Sequence, residues 1–253
     1  MTSTTIGVVS TACVFGGGLI GLALQRLLPK HHLSKESQDL VKLGAGVIAT
    51  ITALVLGLLV SSAKSSFDAM NTRIMQASAS AIILDRMLAE YGPEAKNARE
   101  QLRRSVEESL RRIWPSERTG VSGTAGIERG GAIEAVQAEL RRLVPPDDAH
   151  RQVLAQAQQV ASDVSQSRWM LIEEAQNELP NTFLVVLVLW LTLLFVSFGL
   201  FAPRNAMTVI VLFICACSMS AAIFLFLEMN RPLDGYIKVS SAPLRKALEY
   251  LGR

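Results

Sequence analysis

The 253-residue chain is rich in apolar residues: 50% are hydrophobic and only 19% are charged, whereas about a quarter of the residues in a soluble protein carry charge. Its net charge of +3 is small, and no dense basic block of the kind that grips phosphates is present. Composition therefore excludes a strongly basic nucleic-acid binder and disfavours a soluble enzyme.

Four long apolar segments dominate the sequence, two near its start and two near its end. They are Ile6–Leu28, Leu43–Val60, Phe183–Phe201 and Met207–Leu227. Each approaches the roughly 20 residues that a helix needs to cross about 30 Å of hydrocarbon. Apart from Arg26, which belongs with the polar connector after the first segment, they contain no Asp, Glu, Lys or Arg. This pattern predicts four transmembrane helices.

The prediction is an all-α integral membrane protein with a 2 + 2 arrangement of spans and a helical bundle inserted between spans two and three. The predicted domains are 1–63 (spans one and two), 64–180 (a water-facing helical bundle), 181–228 (spans three and four) and 229–253 (a C-terminal tail).

The first span is rich in glycine. Gly17 and Gly21 lie about one helical turn apart and predict a close crossing with another helix. The segment lacks a positively charged start and a cleavage site, so we expect a retained span rather than a signal peptide. In the following connector, His31 and His32 point in different directions and indicate interfacial residues rather than a metal site.

Small and mildly polar residues recur along the second span. A ridge suited to close helix approach consists of Ala45, Ala49, Ala53 and Gly57. An overlapping set, called here the polar stripe, consists of Gly46, Thr50, Ala53, Gly57, Ser61 and Lys64. The stripe has two interpretations. It packs against other helices with its hydroxyls bonded to their own backbone, or it forms the wall of an ion pore that ends at a cation.

An apolar heptad pattern continues beyond the second span, with alternating spacings of three and four. Its members are Phe67, Met70, Ile74, Ala77, Ala81, Leu84, Leu88 and Tyr91, called here the seam. Charged residues such as Asp68, Arg73, Asp85 and Arg86 fall outside it. At about 1.5 Å per residue, this helix reaches roughly 40 Å beyond the bilayer. Gly92 and Pro93 are expected to end it.

Three further helices complete the predicted bundle. The first two cover Glu94–Trp114 and Ala132–Val144, and a glycine-rich loop covers Pro115–Gly131. Asp147 is expected to cap the third, which returns towards Pro180. The predicted inward face of this last helix comprises Val153, Ala157, Val160, Val164 and Leu171.

The last two spans are joined by the short connector Ala202–Ala206, which predicts a tight helical hairpin. Beyond them, Glu228 with Arg231 or Asp234 predicts a salt bridge at the membrane edge rather than a catalytic acid pair. Basic residues of the tail and of the bundle's start slightly outnumber those of the connectors. The positive-inside rule therefore predicts a cytoplasmic domain and cytoplasmic termini in the inner (plasma) membrane.

No catalytic or metal-binding set is recognisable. Cys13, Cys215 and Cys217 fall within predicted spans, where a role in packing is expected. No nucleophile–base set, metal-ligand spacing or phosphate loop occurs. We therefore expect no enzymatic activity, no cofactor and no metal.

Three stretches resemble bacterial bestrophin-like membrane proteins, an uncharacterised group distantly similar to the bestrophin anion channels. They are KLGAGVIATITALVLGLLVSSAKSSFDA (Lys42–Ala69), FGLFAPRNA (Phe198–Ala206) and RPLDGYIKVSSAPLR (Arg231–Arg245). The resemblance covers nearly the whole chain. It implies a homopentameric anion channel with cytosolic termini and a pore lined by the second span.

Under this resemblance the polar stripe lines the pore, and its last residue, Lys64, draws anions to the inner mouth. The bulky neck of bestrophins has no obvious counterpart. Its candidates, Val47, Ile51, Leu54 and Leu58, would reach the axis only if the helix rotated by roughly half a turn. No acidic cluster resembles a calcium clasp, so calcium gating is not implied.

Two functions are therefore carried forward. The first is a homo-oligomeric, passive, anion-conducting channel whose partners are the lipid bilayer, inorganic ions and further copies of the chain. The alternative is a non-conducting, membrane-anchored assembly or interaction module that acts through its helical domain. A ring of several copies can enclose a pore, whereas a monomer cannot.

Overall fold

A computed structural model describes residues 3–27, 35–114, 132–176, 181–233 and 235–252. These ranges hold eight α-helices and a short 3-10 turn, without any strand. The helices are α1 (Ser3–Leu27), α2 (Lys35–Tyr91), α3 (Lys96–Ile113), α4 (Ala132–Arg142), α5 (Asp148–Gln176), α6 (Asn181–Phe201), α7 (Ala206–Met229) and α8 (Ala242–Tyr250). The predicted all-α class is confirmed. The predicted loop over Pro115–Gly131 lies outside the described residues.

Four of these helices are long and apolar enough to cross a membrane: α1, α2 from Gln38 onward, α6 and α7. The connector between α6 and α7 is short, as predicted. Asn205 caps α7, and its side-chain oxygen accepts a hydrogen bond from the backbone N–H of Thr208 at 2.8 Å. This cap satisfies one of the unpaired N–H groups at the start of the helix.

The chain divides into two compact units. Unit 1 comprises Met1–Ser65 and Leu179–Asn230 and contains the apolar helices; unit 2 comprises Ser66–Glu178 and Arg231–Arg253. The sequence set 229–253 apart as a tail, whereas the structure groups Arg231–Arg253 with unit 2.

Glycines bring α1 close to α6 inside unit 1. A Cβ added to Gly17 would lie 2.8 Å from the carbonyl oxygen of Thr192. A Cβ on Gly21 would overlap the carbonyl oxygen of Val196, and one on Gly199 would overlap that of Gly18. Only hydrogen fits at these three positions, so the close crossing predicted for Gly17 and Gly21 is confirmed.

The seam of α2 forms much of the core of unit 2. Six of its eight members are buried and the other two, Phe67 and Ala77, are half-buried. They pack with α3, whose buried face carries Ala98, Leu102 and Val106. The seam therefore serves as the core of a helical bundle, as its period predicts.

The boundaries of the bundle helices follow local chemistry. Gly92 adopts a φ of 114°, which favours glycine, and Pro93 begins the 3-10 turn, so α2 ends where predicted. Asp147 caps α5, because its Oδ1 accepts a hydrogen bond from the backbone N–H of His150 at 2.8 Å.

The predicted inward face of α5 is displaced by part of a turn. Ala157 is buried as expected, and Val153, Val160 and Val164 pack at the edge of the core. The fully buried centre also includes Leu154 and Ala161, which the sequence pattern did not select. Leu171 lies outside the residues whose side chains the structure describes.

Candidate functional site

The membrane part of α2 has one covered face and one uncovered face. Ala45, Thr52 and Ala63 are buried, and Val55 and Leu59 pack against the core of unit 1. All six residues of the polar stripe are exposed: Gly46, Thr50, Ala53, Gly57, Ser61 and Lys64. The structure thus brings the whole stripe together on the face that this chain leaves open.

The open face has room along its length. A Cβ added to Gly46 or Gly57 would meet nothing within 4 Å. The Thr50 hydroxyl donates to the carbonyl oxygen of Gly46 at 2.9 Å, an interaction within the helix. Of the small-residue ridge, only Ala45 and Ala49 are covered by this chain; Ala53 and Gly57 are exposed.

The bulky apolar side chains of α2 lie beside the stripe. Val47, Ile51, Leu54 and Leu58 are all exposed. Since successive residues are rotated by about 100°, their mean direction differs from that of the stripe by about a quarter turn. The half turn expected from the sequence was too large. Rotating α2 by about a quarter turn about its axis would put the bulky set where the stripe now lies. The open face therefore offers a polar surface and, beside it, an apolar one.

The cysteines do not pack as expected. Cys13 and Cys215 are exposed and Cys217 is half-buried, and all three are free. The expected packing role is therefore wrong for the first two within this chain. Among the described residues, no group of three or more His, Cys, Asp or Glu is placed to hold a metal ion.

A buried charge cluster in unit 2 was not anticipated from the sequence. Asp85, placed outside the seam by its charge, is only 2% exposed. Its carboxylate accepts hydrogen bonds from Nε and Nη2 of Arg99 at 2.8 and 2.9 Å, and from the backbone N–H of Gly252 at 3.2 Å. The hydrogen bond from Arg99 to Asp85 raises the pKa of the Arg99 guanidinium further above its ordinary value.

The cluster fixes the C-terminal segment to the bundle. Leu251, beside Gly252, is buried, and the indole N–H of Trp114 donates to the carbonyl oxygen of Val239 at 2.9 Å. One signal for this arrangement exists in the sequence: Asp85 directly follows the seam residue Leu84, so it lies close to the buried seam.

Glu228 is also more buried than predicted. It lies in the last turn of α7 with only 1% of its surface exposed. Asp234, one of its two predicted partners, lies outside the described residues. The carboxylate is therefore buried rather than accessible to water.

Comparison with known proteins gives a family match and a fold match. The profile of the Bestrophin-like domain matches residues 12–244. A zinc-phased crystal structure of a bacterial bestrophin homologue from Klebsiella pneumoniae aligns with a TM-score of 0.66 and 12% identity, covering 96% of both chains. A single-substitution variant of that homologue aligns with a TM-score of 0.70 and 12% identity, covering 99% of this chain and 97% of that one. No curated protein matches the sequence.

The fold and the apolar helices define the chain as a helical integral membrane protein with the bestrophin fold. Because the domain profile spans most of its length, the chain belongs to the Bestrophin-like family, a family of channels.

Proposed function

We propose that the chain is one subunit of a passive ion channel in which α2 helices from several copies surround a common axis. The observation that carries this proposal is the coverage of α2. Only 6% of its most apolar 18-residue window is buried by the chain, against 28–33% for α1, α6 and α7. A span so little covered needs neighbours from outside its own chain.

Two features indicate that part of the open face of α2 borders a water-filled pore. The open face carries the hydroxyls of Thr50 and Ser61 and no acidic residue, and it ends at Lys64. Polar groups along a span are unfavourable towards lipid but suit a pore in which they replace part of an ion's hydration. In this proposal, which follows the resemblance to bestrophins, the ring is a pentamer of the inner membrane with unit 2 and both termini in the cytoplasm.

Anion preference in this proposal comes mainly from Lys64. The Thr50 hydroxyl donates to its own backbone and presents oxygen lone pairs outward, so it must rotate before it can donate to an anion. The ammonium of Lys64 attracts anions through its positive charge. Thr50 therefore affects the size of the current, and Lys64 affects which ion carries it.

The test is ion flux into liposomes that hold the purified full-length oligomer, with chloride and potassium compared in parallel. Chloride flux is expected to exceed potassium flux. Thr50→Leu should reduce both, and Lys64→Glu should shift the ratio towards potassium. Ser218→Leu is the matched control, since the exposed Ser218 hydroxyl of α7 makes the same bond to its own helix, to Ile214 at 2.9 Å.

Unchanged flux in both α2 variants would remove these residues from the pore. No flux of either ion from a folded oligomer would favour the non-conducting assembly module, provided that Ile51→Ala, which would widen a constriction formed by the bulky side chains of α2, also gives none. The structure weakens that alternative, because the seam, which could have bound a partner, is buried within unit 2.

A further inference from the structure

A small cavity in unit 1 combines two arginines with an apolar wall. Its volume is about 360 Å³, and it lies where α1 ends and α7 begins. It is lined by Leu22, Ala23, Arg26, Arg204, Asn205, Ala206 and Val209. None of these residues is acidic, so the described part of the chain contributes two positive charges and no carboxylate to the wall of the cavity.

The arginines are arranged to receive an anion. The Nε of Arg204 donates to the side-chain oxygen of Gln25 at 2.8 Å, which orients the guanidinium while its terminal nitrogens remain available. Within the described part of the chain, neither Arg26 nor Arg204 forms a salt bridge with an acid. Two guanidiniums facing one cavity repel each other, and a bound phosphate would offset that repulsion through charge-assisted hydrogen bonds.

The position of the cavity identifies the source of the phosphate. Arg26 lies in the last turn of the apolar helix α1, and Arg204 lies in the short connector between the apolar helices α6 and α7. Residues at the ends of spans lie at the depth of lipid headgroups. Leu22 and Val209 extend the wall along the apolar parts of α1 and α7, where the glycerol and first methylenes of a lipid would lie.

We infer that this cavity binds the headgroup phosphate of an anionic phospholipid, and that Arg26 and Arg204 hold it jointly. The inference goes beyond channel activity, because it rests on unit 1 of a single chain and requires no conduction. Free inorganic phosphate shares the chemistry of the headgroup but cannot use the apolar wall.

The experiment is native mass spectrometry of the purified full-length protein in a neutral detergent, titrated with phosphatidylglycerol or with phosphatidylcholine. Phosphatidylglycerol is expected to bind the wild type more tightly. Arg26→Gln and Arg204→Gln should each weaken its binding about tenfold, the effect of losing one charge-assisted contact. Arg231→Gln is the matched control, since Arg231 is an exposed arginine that also follows an apolar helix but lies outside the cavity.

Equal loss in the Arg231 control would show general attraction to the interface and overturn the site. So would wild-type binding by the Arg26→Gln/Arg204→Gln double variant. If inorganic phosphate at millimolar concentration displaces the lipid, the assignment to a lipid is wrong. Should the arginine variants misfold, Ala206→Phe gives an independent test: it fills the cavity while keeping both charges, and it should abolish lipid retention. Retention in that variant would contradict the inference.

Discussion

The buried pair of Asp85 and Arg99 allows a quantitative test of how unit 2 is held together. Asp85→Asn keeps the shape of the side chain but leaves the Arg99 guanidinium without its counter-charge. Removing one partner of a fully buried pair costs about 3–5 kcal/mol. Because the side chain of Arg99 is 24% exposed, water relieves part of this cost, and we expect a loss of about 2–3 kcal/mol.

The measurement is hydrogen exchange of the most protected amides of unit 2 in the full-length protein, since their opening reports unfolding of that unit. A loss of this size lowers their protection by about 30- to 150-fold. The hydrogen bond from Gly252 to the same carboxylate also weakens, so amides of α8 should exchange faster as well.

Two further variants decide whether the charge is responsible. Glu100→Gln breaks an exposed pair with Arg104 on the same helix α3, at 3.0 Å, and should change protection by less than about threefold. Adding Arg99→Met to Asp85→Asn removes the uncompensated charge and should recover most of the loss. If Asp85→Asn behaves like Glu100→Gln, or if the double variant is no more stable than the single one, the reasoning is wrong.

Two other predictions concern helix packing and capping. Gly21→Ala places a Cβ against the carbonyl oxygen of Val196, so it should markedly lower the thermal unfolding temperature in detergent. Gly16→Ala is the control: its Cβ would meet nothing within 4 Å, so the unfolding temperature should stay unchanged or rise slightly. Hydrogen bonds from the backbone and ring of His150 lower the pKa of Asp147. The ionised cap therefore stabilises α5 fully above the ordinary carboxyl pKa of about 4, and this stabilisation is lost as the pH falls through the lowered pKa. Asp147→Ala should remove this pH dependence and so flatten the acid side of the stability profile measured by circular dichroism.

Patterns that depend on neighbours along the chain could be predicted from the sequence. The seam from Phe67 to Tyr91 and the cap at Asp147 are set by local spacing and hydrogen bonding, and the apolar runs are set by hydropathy. The pairing of Asp85 with Gly252 could not be predicted, because 167 residues separate them and no period connects them.

The open face of α2 shows a second limit. Periodicity identified which residues share a face, and all six stripe residues on that face are exposed in the structure. Whether a stripe containing Thr50 and Gly57 packs or conducts is set by other copies, whose arrangement is encoded only indirectly in one chain. Small residues suit both outcomes, which is why the two interpretations could not be separated.

The uneven coverage of the apolar helices has an evolutionary consequence. Substitutions at Gly17, Gly21 or Gly199 disturb backbone contacts and are penalised by instability in every member that keeps this packing. Thr50 and Ser61 are exposed, so substitutions there alter the open face of α2 at little cost in folding. A scaffold divided in this way allows the open face of α2 to change by substitution while the chain itself still folds.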